Sequence, residues 1–344
     1  MAAERILVIQ TAFLGDVVLT TPFLRQLRLL EPRAEITLLT TPAGARLLTP
    51  SPWPLRVLSY DKRGRERGFR GFGRQAWGLR RERFDLVFCL HRSVRSALLA
   101  RSTGSREVWG FRESPAAALY HRAVGRAQGA FEAEKNLELL TRKYGASFSL
   151  EDKLPELHVS DEDEASAARL LGGLAGPFAV MAPSSVWATK RWPAERFGAL
   201  AARLSGRIPT VILAGGDPEE LALAREVADR GGGLNLAGKT SLGEMKAILR
   251  RASFAVTNDS APLHMAIALG CPGVAIFGPT VRSQGFFPLA PAGRWITVER
   301  EGLECRPCGP HGHTACPRGH FDCMRGLEVE EVFRAVEKLP WRNG

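Results

Sequence analysis

Four stretches of this chain bring together residue types that do chemistry in concert. "MAPSSVWATKRWP", residues 181–193, sets two hydroxyls, Ser184 and Ser185, shortly before two cations, Lys190 and Arg191. Hydroxyls and fixed cations after an apolar strand suit a diphosphate, and a surface loop with ordinary charges is the alternative. "VTNDSAPLHMAIALGCPGVAIFGPT", residues 256–280, ends a strand at Thr257 and continues with Asn258, Asp259 and Ser260, all suited to a helix cap. Pro262 fits the first helical turn, whose free backbone N–H groups form an anion site. Asp259 is awkward beside a phosphate, so it either caps the helix or orients His264 or a donor hydroxyl. "LAGGDPEELALAREV", residues 213–227, runs from a strand through two glycines into an acidic helix start. There Glu219 or Glu220 either accepts from a sugar hydroxyl or complements the helix dipole. "CRPCGPHGHTACPRGHFDC", residues 305–323, carries Cys305, Cys308, Cys316 and Cys323 with three histidines between them. It opens like a zinc site but lacks a second CxxC, so it reads either as a structural zinc site or as reduced thiols in a loop.

A fifth stretch poses a question. "QTAFLGDVVLTTP", residues 10–22, follows the apolar run Ile6 to Ile9 and sits where many α/β proteins hold a phosphate. It has one glycine, Gly15, and then Asp16, whose carboxylate would repel a phosphate.

The elements that position these residues alternate. Apolar, β-branched runs at 6–10, 35–39, 56–60, 85–90 and 107–111 read as strands of a first half, and those at 178–182, 210–214, 254–257, 273–277 and 295–298 as strands of a second. Helical patterns at 22–30, 195–204, 218–229, 242–251 and 262–269 lie between them. Such alternation implies βαβ units and mainly parallel sheets, and short continuous apolar strands suit sheets covered on both faces. The acidic, glycine-containing stretch 151–176 reads as a linker. The expected organisation is therefore α/β, with two Rossmann-like domains and a ligand cleft between them, residues 1–160 and 161–326. A C-terminal helix within 327–344 is expected to pack back on the N-terminal domain.

Composition narrows the class. The 344 residues are 45% hydrophobic and 24% charged, typical of a globular protein, and no apolar run reaches the ~18 residues that span a bilayer. The N-terminus shows no signal-peptide pattern, so a cytoplasmic location is expected. The net charge of +11 is uneven. Residues 1–150 hold 25 basic and 13 acidic residues, whereas the remainder hold 22 and 23. The densest basic piece, "DKRGRERGFRGFGRQAWGLRRERF" at 61–84, attracts a polyanion or is simply a solvated surface.

"ILVIQTAFLGDVVLTTP", "KRWP", the 256–280 stretch and "CPRGHFDC" together resemble the lipopolysaccharide heptosyltransferases, inverting enzymes of glycosyltransferase family 9 with the GT-B fold. The likeness runs from residue 5 to about 327, and the last two motifs are most similar to the heptosyltransferase II type. The resemblance implies that Asp16 is the catalytic base and that Lys190 faces the donor diphosphate, with Ser184 and Ser185 nearby. It places Asp259, Ser260, Ala261 and Pro262 in the loop that holds the donor phosphates, with His264 beside it. Two departures stand out. The family usually has Gly at 261, so a positive φ there would reshape the loop, and Pro262 removes one backbone donor.

The resemblance further implies transfer of heptose from ADP-heptose to a lipid A–Kdo–heptose acceptor in lipopolysaccharide core biosynthesis, at the cytoplasmic face of the inner membrane. No metal cofactor is required, because Lys190 and the helix start near Ser260 stabilise the leaving diphosphate. Arg63, Arg65, Arg92 and Arg95, with other arginines of 62–83, are expected to meet acceptor phosphates and carboxylates, and Phe69, Phe72 and Trp77 to dip into the membrane interface. The helix dipole is expected to keep Asp16 ionised and weakly basic, leaving catalysis to positioning. Heptosyltransferases I and III share the scaffold. A GT-B sugar-nucleotide epimerase, a nicotinamide enzyme and a zinc-stabilised nucleic-acid binder compete; the missing GxGxxG weakens the second of these, and cleft-like motifs in the less basic half argue against nucleic acid.

Overall fold

The computed structural model describes residues 5–174 and 176–341. Two compact units divide the chain, 1–158 and 159–344. The first is built on six strands, β1 (Arg5–Gln10), β2 (Glu35–Thr40), β3 (Arg56–Ser59), β4 (Leu86–Cys89), β5 (Glu107–Phe111) and β6 (Arg122–Val124). Their spatial order is β3-β2-β1-β4-β5-β6, and every pairing is parallel. The second unit repeats the plan with β7 (Ala179–Ala182), β8 (Thr210–Ile212), β9 (Leu234–Asn235), β10 (Phe254–Asn258), β11 (Gly273–Phe277) and β12 (Trp295–Glu299). They lie in the order β12-β11-β10-β7-β8-β9, again all parallel. Read from the middle outward, both sheets have the Rossmann order, in which the direction of winding reverses beside the first strand.

All ten sequence-predicted strands are present. The two additional ones, β6 and β9, are edge strands of three and two residues. "RAV" and "LN" are too short to show an alternation, and only pairing to a neighbour makes them strands. The central strands explain themselves: Ile6 to Ile9 and Phe254 to Val256 are completely buried, as parallel strands covered by helices on both faces must be. Helices at Thr21–Leu30, Ala194–Leu204, Pro218–Gly231, Leu242–Arg251 and Ala261–Ala268 fall where periodicity predicts them.

The acidic "linker" is largely ordered. Asp161, Glu162 and Asp163 form the first turn of a helix, Asp161–Leu171, capped by the Ser160 hydroxyl. Acids complement the partial positive charge there.

The C-terminal helix, expected to return to the N-terminal domain, instead spans Val329–Glu337 and packs on the Ala194–Leu204 helix, β11 and β12 of the second unit. Its apolar face, Val332, Phe333 and Val336, belongs to that unit's core. Arg203 and Arg207 bind Glu330 and Glu337 on it. Residues 342–344 of the expected tail lie outside the described residues.

Trp192 anchors this junction. Its ring is fully buried, meets Phe197 edge-on at 5.0 Å, and donates from Nε1 to the Leu327 carbonyl at 3.0 Å. Trp192→Ala removes the ring and one of the two donors to that carbonyl, leaving Arg196 as the other. It should cost about 3–5 kcal/mol, read as a lower denaturant midpoint with little change in slope.

Candidate active site

In each unit the polar residues gather where the two central strands end side by side. In the first unit these are β1 and β4. Beyond them, Thr11 Oγ1 lies 2.9 Å from His91 Nδ1 and 3.1 Å from Ser96 Oγ, and Lys62 Nζ donates to the Thr11 carbonyl at 2.6 Å. Burial, with the charges of Lys62 and Arg92, lowers His91 to about 4, so the ring is neutral near pH 7. Thr11, Lys62 and His91 border a cavity of about 410 Å³ whose walls also include Arg46, Tyr60, Asp61, Arg63, Phe13 and Leu14.

Asp16 follows in the short helix Leu14–Val18, reached directly from that wall. Its Oδ2 accepts from Phe13 N at 3.1 Å, closing the helix start. The dipole argument alone would hold its pKa low. Instead burial, then the Glu132 carboxylate, push it up to about 7, against the Phe13 N–H and Arg126, which lower it. The residue as a whole is only partly buried. The expectation of a permanently ionised, weak base is therefore corrected: desolvation outweighs the helix start. Glu132 is itself held by Arg126, and Lys135 Nζ stands 3.7 Å from its other oxygen. Arg126 in turn lies over the Phe111 ring at 5.1 Å.

The four sequence-predicted acceptor arginines separate. Arg63 lines the cavity and stacks over Phe13 at 5.6 Å. Arg92 is exposed and interacts electrostatically with Asp16 and Arg126. Arg65 is exposed outside the cavity lining. Arg95 is engaged within the fold: it donates to Tyr60 OH at 2.5 Å and to the Glu66 carbonyl at 3.0 Å, and lies over the Tyr60 and Phe72 rings. Sequence reasoning passed over Thr11, Arg46, Lys62 and His91. Their signal was position, since Thr11, Lys62 and His91 each follow a strand's carboxyl end.

In the second unit the loops after β7 and β10 meet. Asn258 joins them, accepting from Trp192 N at 3.0 Å and donating to the Pro183 carbonyl at 2.7 Å. Lys190 Nζ bonds Asp259 Oδ2 at 2.6 Å, and Thr280 Oγ1 donates to the same oxygen at 2.7 Å; all three residues are buried. Asp259 thus neither caps the helix nor repels an anion unopposed, because its charge is matched by Lys190. Gly312 lets a neighbouring loop approach: its φ is +86°, and a Cβ would stand 2.9 Å from Thr189 Oγ1.

Ser260 precedes the Ala261–Ala268 helix, but its hydroxyl turns to the Asn258 carbonyl at 3.4 Å instead of capping. Ala261 opens the helix and is not among the positive-φ residues, so no glycine was needed there. Pro262 does remove a donor from the first turn, as expected. His264 is buried, burial lowers it to about 4, and its Nδ1 has no partner among the described residues. Ser184 and Ser185 are buried beside this loop, and Arg191 Nε donates to the Ser185 carbonyl at 2.7 Å. Glu219 pairs with Arg191 at 2.6 Å, while Asp217 caps its helix through the backbone N–H groups of Glu219 and Glu220.

The cysteines part company with the zinc expectation. Among the described residues no three His, Cys, Asp or Glu side chains are arranged to hold a metal ion. Cys305, Cys308 and Cys316 are half-buried, but Cys323 packs into the second unit's core beside Met324 and Leu327. Burial raises the Cys323 thiol to about 11.

The sequence profile of glycosyltransferase family 9 (heptosyltransferase) matches residues 73–314. The chain belongs to glycosyltransferase family 9. It is 26% identical over 315 residues to lipopolysaccharide heptosyltransferase 1 of Pseudomonas aeruginosa, covering 88% of this chain and 86% of that protein. Among solved structures, a glycosyltransferase family 9 protein of Veillonella parvula superposes with a TM-score of 0.84 at 24% identity, over 97% of this chain and 96% of the other. The ADP-heptose LPS heptosyltransferase II of Escherichia coli gives a TM-score of 0.76 at 22% identity, over 97% of each chain. The fold is GT-B, and the transferase is built on two six-stranded parallel sheets.

Glu132 offers a test of the electrostatics around Asp16. Glu132→Gln removes a charge that raises the Asp16 pKa and frees Arg126 to lower it. The acidic limb of the transfer-rate profile, expected near pH 7 in the parent enzyme, should move to lower pH, as read from kcat/KM across pH 5 to 9.

Proposed function

We propose that this transferase moves a heptosyl group from ADP-heptose to the inner core of lipopolysaccharide, a lipid A–Kdo–heptose acceptor, at the cytoplasmic face of the inner membrane. Its named relatives include lipopolysaccharide heptosyltransferases 1, 2 and 3. Within that group the pairing of "NDSAPLH" with "CPRGHFDC" favours the second-heptose type.

The observation that carries the reading is Asp16: a carboxylate poised near neutrality, next in sequence to the wall of a basic cavity. An acceptor hydroxyl loses its proton to Asp16 as its oxygen attacks the anomeric carbon. The nucleoside diphosphate leaves from the opposite face, so the configuration inverts. Charge builds on the departing diphosphate, and Lys190 with the Ala261 helix start stabilises it without a metal ion. Asp259 and Thr280 hold the ammonium in place before donor arrives, so little reorganisation is needed at the moment of reaction. Ser184 and Ser185 supply donors on the same side of β7. Lys62, Arg63 and Arg92 match acceptor phosphates or carboxylates.

Mass spectrometry of products from ADP-heptose and a panel of truncated core acceptors tests the reading. Addition of one heptose to the Kdo–heptose acceptor is expected, whereas hydrolysis or epimerisation of the donor without acceptor would replace it. Asp16→Asn should lower the transfer rate about 10²- to 10⁴-fold with ADP binding retained. For the donor side, Lys190→Ala alone strands a buried carboxylate and costs about 3–5 kcal/mol of stability. The pair Lys190→Met with Asp259→Asn avoids that loss, and calorimetry should then show weakened ADP binding in a folded protein.

A further inference from the structure

The basic stretch 61–84 separates in the fold. Lys62 and Arg63 turn to the cavity, while the helix Gly68–Arg81 carries most of the rest. That helix buries Gly71 and Leu79, with Phe72 and Ala76 packed against the first unit's core. Phe72, expected at the interface, is thereby half-buried beneath Arg95.

The opposite face is bare. At 100° per residue, Arg70, Arg74, Trp77 and Arg81 fall within a narrow stripe, and all are exposed. Trp77 is 61% exposed, and the Arg81 guanidinium lies over its ring at 4.6 Å. Phe69, at the helix start, is 96% exposed.

The nearby acids do not neutralise this stripe. Asp61 accepts from the backbone N–H groups of Gly64 and Arg65, and the Glu66 carboxylate accepts from Asp61 N. Glu82 is held by Arg5 and Arg56. Arg70, Arg74 and Arg81 form no ion pair among the described residues. Three uncompensated guanidinium groups around an exposed indole, with a phenylalanine beside them, match a surface of phosphates over hydrocarbon. The stripe presents no Asn, Gln, Ser or Thr of the kind that reads a nucleic acid, and the first unit's cavity lies among other residues.

We propose that the outward face of the Gly68–Arg81 helix docks the enzyme on an anionic phospholipid bilayer, with Arg70, Arg74 and Arg81 among the lipid phosphates and Trp77 and Phe69 at headgroup level. The inference rests on the glycolipid-acceptor reading and names the surface by which the enzyme would reach such an acceptor.

The full chain is cosedimented with vesicles of phosphatidylethanolamine containing about one-third phosphatidylglycerol, and with pure phosphatidylcholine vesicles as control. Binding to the anionic vesicles alone, weakened by salt, is expected. The triple change Arg70→Glu, Arg74→Glu, Arg81→Glu should reduce it at least about tenfold, and Trp77→Ser with Phe69→Ser should reduce it further at high salt. Circular dichroism should be unchanged, because every altered side chain is exposed.

Undiminished vesicle binding by the triple variant overturns the proposal. So does a variant that keeps vesicle binding and loses only its retention on duplex DNA. Vesicle binding that depends on these residues in a protein inactive on every glycolipid acceptor would instead overturn the functional reading and leave the docking face standing.

Discussion

Both sheets are parallel from edge to edge, and that constraint organises the molecule. A parallel sheet needs crossover helices, and the helices cover both of its faces. Its central strands must then be apolar throughout, as Ile6 to Ile9 and Phe254 to Val256 are. Polar chemistry is confined to the carboxyl edge, and there the reversal of winding parts two neighbouring loops. Thr11 and His91 meet at one such point, Ser184 and Asp259 flank the other. Asn258 closes the second by satisfying a backbone donor on one side and a carbonyl on the other.

Desolvation acts on the two clusters with opposite results. In the second unit it is met by pairing: Lys190, Asp259 and Thr280 leave neither charge alone in a buried place. Such a pair is a poor source of stability compared with apolar packing, so its retention fits a requirement for a fixed cation. In the first unit backbone N–H groups and the charge of Arg126 favour ionised Asp16, but burial and a second carboxylate, Glu132, outweigh them. One site keeps its charge by neutralising it locally. The other keeps a proton within reach of pH 7.

The surplus of arginine in residues 1–150 has three fates. Arg5 and Arg56 share Glu35 and Glu82 and tie strands β1, β2 and β3 to the turn before β4. Arg63, with Lys62 and Arg46, lines the cavity. Arg70, Arg74 and Arg81 face outward. Net charge alone does not distinguish these roles, because it sums over side chains whose partners lie tens of residues away.

The sequence by itself determined ten of the twelve described strands, the five helices it named and the family. Apolar runs of strand length and 3.6-residue periodicity are local signals, and a set of motifs in fixed order survives without knowledge of packing. It also brought Asp16, Lys190, Asp259 and Ser260 forward, since each follows a strand. Only the tertiary structure decided their partners. Lys190 and Asp259 are 69 residues apart and bond directly. Burial, and then Glu132 from a distant helix, act on Asp16 and reverse the weakly basic state that the local helix start implied. Arg95 was drawn into the fold, and Cys323 into a core. Ionisation, pairing and exposure depend on which atoms exclude water around a group, and those atoms come from remote parts of the chain.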